Sequence, residues 1–301
     1  CFETRTWTEA VQATVELKYS FRQKSDNMLA DLLARVRTGD FTIDDIETIA
    51  SRLNITFEGA AFEGIEPTRM HSRRANVDLI NETKLNELPT TAPKQLFTAH
   101  FHLTVSSLKR KDMNGSGNDN AEPFANTADK RKELQRVARN MEEGNSLPVK
   151  QQLELRVGAQ VMLLCNLDIE SGLVNGSRGV ITRFTTVNDE LFPVVRFVKN
   201  NDELCVTTHT WEYKLAAGSI YYTQIPLHLA WAITIHKAQG LSLDCVEMAL
   251  DNSVFERGQA YVALSRVTSI AGLRLLSFKP SVIVAHPLVK QFYNQLRDVN
   301  T

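Results

Sequence analysis

The chain has 301 residues, 43% of them hydrophobic, enough to bury a sizeable core and more than a single domain usually needs. Its 34 basic and 35 acidic residues leave a net charge of −1, so any nucleic-acid site has to be a local patch. No apolar run reaches membrane-spanning length, and the four cysteines (Cys1, Cys165, Cys205, Cys245) form no CxxC pair, which favours buried, reduced thiols in an intracellular protein over zinc or disulfides.

In chain order, the first well-signalled element is a helix between Ser25 and Gly39. Ser25 is expected to cap it, Leu29, Leu32, Leu33 and Val36 form one face, and Gly39 stops it. Arg22 stands just ahead of this helix and, taken alone, reads as a surface arginine beside a cap. Glu66–Met70 is predicted as a strand. Ala75–Leu88 follows as a helix with Leu79, Ile80 and Leu85 inward and Ser72 as its cap. His71 falls at that junction, where ligands of open α/β sheets gather, although a histidine in such a place is more often structural. Residues 91–152 read as a flexible insertion or linker, because Lys109–Asp129 is nearly devoid of apolar residues; a short charged helix is expected over Ala128–Met141. The Lys-Arg-Lys run at 109–111 reads as a solvated loop tag or a phosphate contact.

From Leu153 the period shortens. Val161–Cys165, Gly179–Phe184, Val194–Val198, Leu204–Thr210 and Ile220–Ile225 read as five short strands with a turn at Asn175-Gly176, the pattern of a small closed barrel over 153–226. Leu227–Gln239 is read as an apolar helix ended by Gly240. Val246–Leu250 and Leu273–Phe278 are buried parallel strands, joined by a helix over Gln259–Val267 that carries Tyr261, Leu264 and Val267 on one face.

Two segments in this last region carry a resemblance. AWAITIHKAQGLSLD looks like motif V, and GQAYVALSR like motif VI, of the Pif-type DNA helicases of superfamily 1B. FRQ before the first helix resembles motif IV, and GAQVMLLCNLDIESGLVNGSRGVI resembles a barrel subdomain of the same family. The likeness covers nearly the whole chain and thins between Lys109 and Ser146. It implies an α/β fold: a second RecA-like motor domain, a parallel sheet with flanking helices, in two parts (1–90 and 227–301), interrupted by an SH3-like β-barrel at 153–226.

What the resemblance implies about function is specific. Arg22 and Arg266 become arginines that reach the ATP phosphates, with Gln239 and Gly240 sensing the same group. His71, Ser72, His236, Lys237, Gln259 and Tyr261 become single-stranded DNA contacts. The residues alone offer a blander reading of Lys237, a cation neutralising a helix C-terminus. The implied activity is 5′-to-3′ translocation on single-stranded DNA with Mg-ATP and unwinding of duplexes and junctions, in replication, repair and recombination. It also implies a nuclear or mitochondrial setting if the source is eukaryotic. No GxxxxGK[ST] occurs in the sequence, and no metal ligands are expected. The Walker lysine and the Mg2+ carboxylate are therefore expected from a first RecA-like domain outside this chain, which begins with Cys instead of Met and reads as a fragment. The alternative is a non-catalytic nucleic-acid- or protein-binding module derived from a helicase.

Overall fold

The computed structural model describes residues 5–11, 14, 20–56, 65–106, 127–144, 146–199 and 201–299. Its first elements are α1 (Arg5–Ala10), α2 (Asn27–Thr38), α3 (Ile43–Ala50), β1 (Thr68–His71), α4 (Arg74–Glu87), β2 (Lys94–Thr98), β3 (His100–Val105) and α5 (Thr127–Glu143). Seven strands follow: β4 (Gln152–Arg156), β5 (Gln160–Leu163), β6 (Arg178–Val187), β7 (Glu190–Phe197), β8 (Glu203–Cys205), β9 (His209–Leu215) and β10 (Gly218–Gln224). The chain closes with β11 (Leu227–Leu229), β12 (Ala232–Thr234), β13 (Val246–Leu250), α6 (Gln259–Leu264), β14 (Leu273–Phe278) and α7 (Pro287–Val299).

Four parallel strands in the order β12-β1-β13-β14 make the central sheet. Val246, Met248 and Leu250 of β13 and Leu273 and Leu275 of β14 are nearly water-free, as expected of strands covered on both faces. Leu29, Leu32, Leu33 and Val36 of α2 join Ala260, Ala263 and Leu264 of α6 in the same core. β12 would be an open edge, but Asn81 of α4 closes it. Its amide donates to the Ala232 carbonyl and its oxygen accepts from the Ala232 N–H, both at 2.9 Å.

The remaining strands are antiparallel. β11-β5-β6-β7-β8 form one sheet, β3-β10-β9 a second, and β2 pairs with β4. One expectation changes here. β2 and β3 lie within the stretch expected to be flexible, yet both are regular strands; α5 is the helix expected over Ala128–Met141, and its Leu134 is fully buried beside Ile220 of β10. In β3, Phe101, Leu103 and Val105 alternate with the outward His100, His102 and Thr104, a period-two signal present in the sequence. The Lys-Arg-Lys run at 109–111, Cys1 and most of the Lys109–Asp129 stretch lie outside the described residues.

The helix read over Leu227–Gln239 is replaced by β11, β12 and one tight turn. Leu227 pairs with Leu163 and Ala232 with Arg69, so the chain leaves the antiparallel part and enters the parallel sheet within a few residues. A short apolar run buried on all sides reads alike as helix or strand, and tertiary pairing decided it. Asp26, not Ser25, caps α2, accepting from the Leu29 N–H at 2.9 Å; Gly39 does end it, with φ at 78°. Ser72 makes no cap, since α4 begins after Arg73 without a side-chain hydrogen bond. Its inward face is Val77, Asn81 and Leu85, leaving Leu79 65% exposed. Cys165, Cys205 and Cys245 are free thiols, and burial pushes the Cys245 thiol up to about 12, so it stays protonated and inert.

Helix α3 is held by a capping box and an ion pair. Asp45 accepts from the Thr42 N–H and receives a bidentate grip from Arg35 at 2.6 and 2.7 Å. The Arg35 hydrogen bonds hold the Asp45 carboxyl down at about 2, below the ordinary 3.8. A depressed folded-state pKa stabilises above the unfolded value and is lost as pH falls through the folded one. Asp45→Ala is therefore expected to cost about 2 kcal/mol at pH 7. In urea titrations the gap from wild type should shrink between about pH 4 and pH 2; a constant gap would contradict this.

Candidate functional site

The parallel sheet presents two edges. β13 and β14 begin at Val246 and Leu273, and a bridge between Leu243 and Val267 extends the pairing just upstream. Arg22, Ser242, Ser265 and Arg266 meet at this starting edge. Arg22 donates through Nε to Ser242 Oγ at 3.0 Å and through Nη1 to the Ser265 carbonyl at 3.2 Å. Arg266 donates through Nη2 to Ser265 Oγ at 2.7 Å and through Nε to the Val262 carbonyl at 2.9 Å. Gln23, fully enclosed, fastens the segment by donating to the Val267 carbonyl at 2.8 Å.

Both guanidiniums are half-buried, grip the same serine and, among the described residues, have no carboxylate partner. Burial, followed by the charge of Arg22, pulls Arg266 down to about 10; burial also lowers Arg22, and the Tyr261 phenol works in the opposite direction on both. Both remain protonated at neutral pH. Two adjacent, partly desolvated cations satisfied only by neutral acceptors make an anion site, and their planar forks suit phosphate oxygens.

The finishing edge, at the C-terminal ends of β1 and β12, carries the other predicted residues. Ile235 donates from its N–H to the His71 carbonyl at 2.9 Å, setting His71 beside the turn that bears His236 and Lys237. Burial first, and Arg69 second, lower the His71 pKa; its Nε2 is enclosed with no hydrogen-bond partner. His236 and Lys237 are exposed, and His236 Nε2 lies 3.4 Å from Glu256 Oε2. Gly240 has φ at 87° with open space where a Cβ would sit, so it ends the turn in a left-handed conformation. Gln239 and Tyr261 join His236, Gln259, Arg37 and Tyr293 around a hollow of about 380 Å³. Gln259 is 4% exposed, and its oxygen accepts from the Phe255 N–H at 3.1 Å, so it organises the loop before α6.

Sequence reasoning missed the far side of this edge. Three hollows, of about 320, 180 and 370 Å³, adjoin in pairs: Lys150 lines the first two, Leu147 and Lys237 the last two, and His228 the first and third; together they form one groove that runs from α4 past the segment leading into β4. Arg74 and Lys150 approach Asp78 at 3.2 and 3.1 Å. Partial desolvation by the walls of the groove, then Arg74, lower the Lys237 pKa even though the residue as a whole is exposed, with Lys150 acting the same way and Asp78 against it. Arg74, Lys150 and Lys237 thus gather around Asp78, while Glu82, Glu142 and Glu154 also line the groove, so its charge is mixed. His228 is held neutral, at about 4, chiefly by burial, and its Nδ1 lies 2.6 Å from the Leu229 carbonyl. Neither His71 nor Ser72 lines the groove. Arg74 and Lys150 sit in ordinary polar surroundings in the sequence; only the folding of residues 146–152 against α4 assembles them. Among the described residues, no cluster of side chains could hold a metal, and no helix is long and apolar enough to cross a membrane.

A RecA-like parallel sheet that carries antiparallel sheets between its strands is thus set beside a paired-arginine edge and a groove of mixed charge. Residues 144–184 match the family model for the 2B domain of the DNA helicase Pif1. The ATP-dependent DNA helicase PIF1 of Xenopus laevis is 37% identical over 299 residues, covering 99% of this chain and 40% of that protein. The human protein of the same name is 36% identical over 301 residues, with the same shares covered. The crystal structure of Pif1 helicase from Candida albicans superposes with a TM-score of 0.63 at 29% identity, across 98% of this chain and 64% of that one. The chain belongs to the Pif1 family and matches the C-terminal part of its full-length members. It spans about 40% of the length of the curated relatives it matches.

Proposed function

We propose that this chain is the C-terminal part of an ATP-dependent DNA helicase moving 5′ to 3′ on single-stranded DNA. The observation that carries the reading is the Arg22–Arg266 pair, two half-buried cations with no carboxylate partner among the described residues. The names of the relatives, ATP-dependent DNA helicases, agree with it. A first RecA-like domain would bring the nucleotide with Mg2+, the Walker lysine and the magnesium carboxylate. Arg22 and Arg266 would meet the γ-phosphate, and Gln239 and Gly240 would follow its presence through the turn they end. A nucleotide supplies the free energy of phosphoryl transfer; this chain's part is to hold positive charge where negative charge develops.

The groove is assigned to the strand. Lys237, Lys150 and Arg74 would take phosphates, with His236 at one mouth and His71, Ser72, Gln259 and Tyr261 supporting the turn and the loop nearby. The segments 1–90 and 227–301 would act as the motor and 153–226 as a barrel that confines the strand. Forked junctions, and work in replication, repair and recombination in nucleus or mitochondrion, go with this reading. For the test, single-stranded DNA binding by the chain is measured against salt. Lys237→Ala should weaken binding and flatten the log–log salt slope by ~0.7, the value for one lost phosphate contact on a single strand. An unchanged slope would remove Lys237 from the DNA site.

A further inference from the structure

The turn at Asn175-Gly176 belongs to the antiparallel part of the molecule, yet it touches the edge that holds the two arginines. Gly176 has φ at 98°, and a Cβ there would fall 2.7 Å from the Ser242 carbonyl oxygen and 3.2 Å from the Ser242 nitrogen. Only glycine permits that approach. Two residues on, Arg178 has a fully buried side chain; Nε and Nη2 clasp both carboxylate oxygens of Asp244 at 2.8 and 2.7 Å, and Nη1 reaches the Glu66 carbonyl at 2.8 Å. The loop from Leu241 to Asp244 is thus gripped at its middle and at its end. The turn itself is braced against β5, with Gly176 N–H donating to the Leu163 carbonyl and Leu163 N–H to the Ser177 carbonyl, both at 2.9 Å.

The other side of the same loop faces the arginines. Ser242 Oγ accepts from Arg22 Nε at 3.0 Å, and Leu243 N–H donates to the Arg266 carbonyl at 2.9 Å. The clasp is buried on the Arg178 side and 45% exposed at Asp244; such a pair adds little stability over apolar packing, but its bidentate fork fixes one geometry. Here it fixes the loop that orients Arg22.

We propose that Gly176 and Arg178 are positioning residues for Arg22, acting through Ser242, so that the antiparallel part sets where this arginine stands at the nucleotide. The proposal rests on the assignment of Arg22 to the phosphate. A displacement of an angstrom at a reacting centre costs up to ~10²-fold in rate.

The test uses the full-length protein, with DNA-stimulated ATP turnover and single-stranded DNA affinity measured for Arg22→Ala, Ser242→Ala, Ser242→Thr, Gly176→Ala and the Gly176→Ala/Ser242→Ala double variant. Ser242→Ala and Gly176→Ala should each lower kcat roughly 10- to 100-fold, with KM for ATP and DNA affinity changed less than about twofold. Ser242→Thr, which keeps the hydroxyl, should recover most of kcat. The double variant should be no worse than the stronger single one, because both act along one route. Additive losses, or a Ser242→Ala enzyme with normal kcat, would overturn the proposal even if Gly176→Ala fails to fold. If Arg22→Ala itself turns over normally, the phosphate assignment falls, and the positioning role with it; an inactive Arg22→Ala beside a normal Ser242→Ala sinks the positioning role alone.

Discussion

Replacing Arg266 by alanine in the full-length protein is expected to lower DNA-stimulated ATP turnover ~10³- to 10⁵-fold, the range an arginine directed at a transferring phosphoryl group supplies. Arg22→Ala should fall in the same range. Both cations are held only by a serine hydroxyl and backbone carbonyls, and each raises the cost of the other's charge. An incoming phosphate relieves that repulsion, most of all when its oxygens carry the extra charge of the transition state. The groove lies at the other edge of the sheet, so single-stranded DNA affinity should change less than about threefold in either variant. Arg266→Lys keeps the charge and loses the fork, and should recover only part of the rate. A variant that hydrolyses ATP normally and no longer binds DNA would reverse the two assignments.

Tyr222→Ala should be the most damaging single truncation for stability, at ~3–5 kcal/mol, as for large aromatic residues in packed cores. Tyr222 is fully buried, its ring centre is 4.9 Å from that of Phe101, and its hydroxyl donates to the Val149 carbonyl at 3.0 Å. Tyr222→Phe keeps the ring and should cost about 1 kcal/mol. Burial pushes the phenol up to about 12, against an ordinary 10. A raised folded-state pKa stabilises below the unfolded value and is lost above it, so wild type should weaken between about pH 10 and 12 more than Tyr222→Phe. Denaturant midpoints across that range decide the matter, and parallel curves would remove the phenol from the account. Val149 adjoins Lys150 in the groove, so Tyr222→Ala should also loosen DNA binding at temperatures where the protein remains folded.

Much of the parallel core could be read from the sequence because its signals are local. β13 and β14 have the predicted limits, and the Leu29–Val36 face and Gly39 stop of α2 are as expected. The two arginines were legible through their motifs, although nothing local tells that residues 244 apart share Ser265. What could not be read depended on partners far along the chain. Leu227–Ile235 became strand because β5 and β1 were waiting for it. The groove was hidden for the same reason: Lys150 and Arg74 gain meaning only when the segment before β4 lies against α4. The alternation in β3 was there to be seen, overshadowed by the polar stretch that follows.

The strand order of the central sheet bears on how this protein can be made. β1 lies between β12 and β13, and its register partners His71 and Thr234 stand roughly 160 positions apart. At ~5–20 residues per second a ribosome needs on the order of ten to thirty seconds to deliver the second after the first. Through that interval β1 is a strand with neither neighbour in existence. The antiparallel sheets are complete by β11, before β12 emerges, and folding them first would shrink a long closure to a short one and bring β12 to β1 already in register.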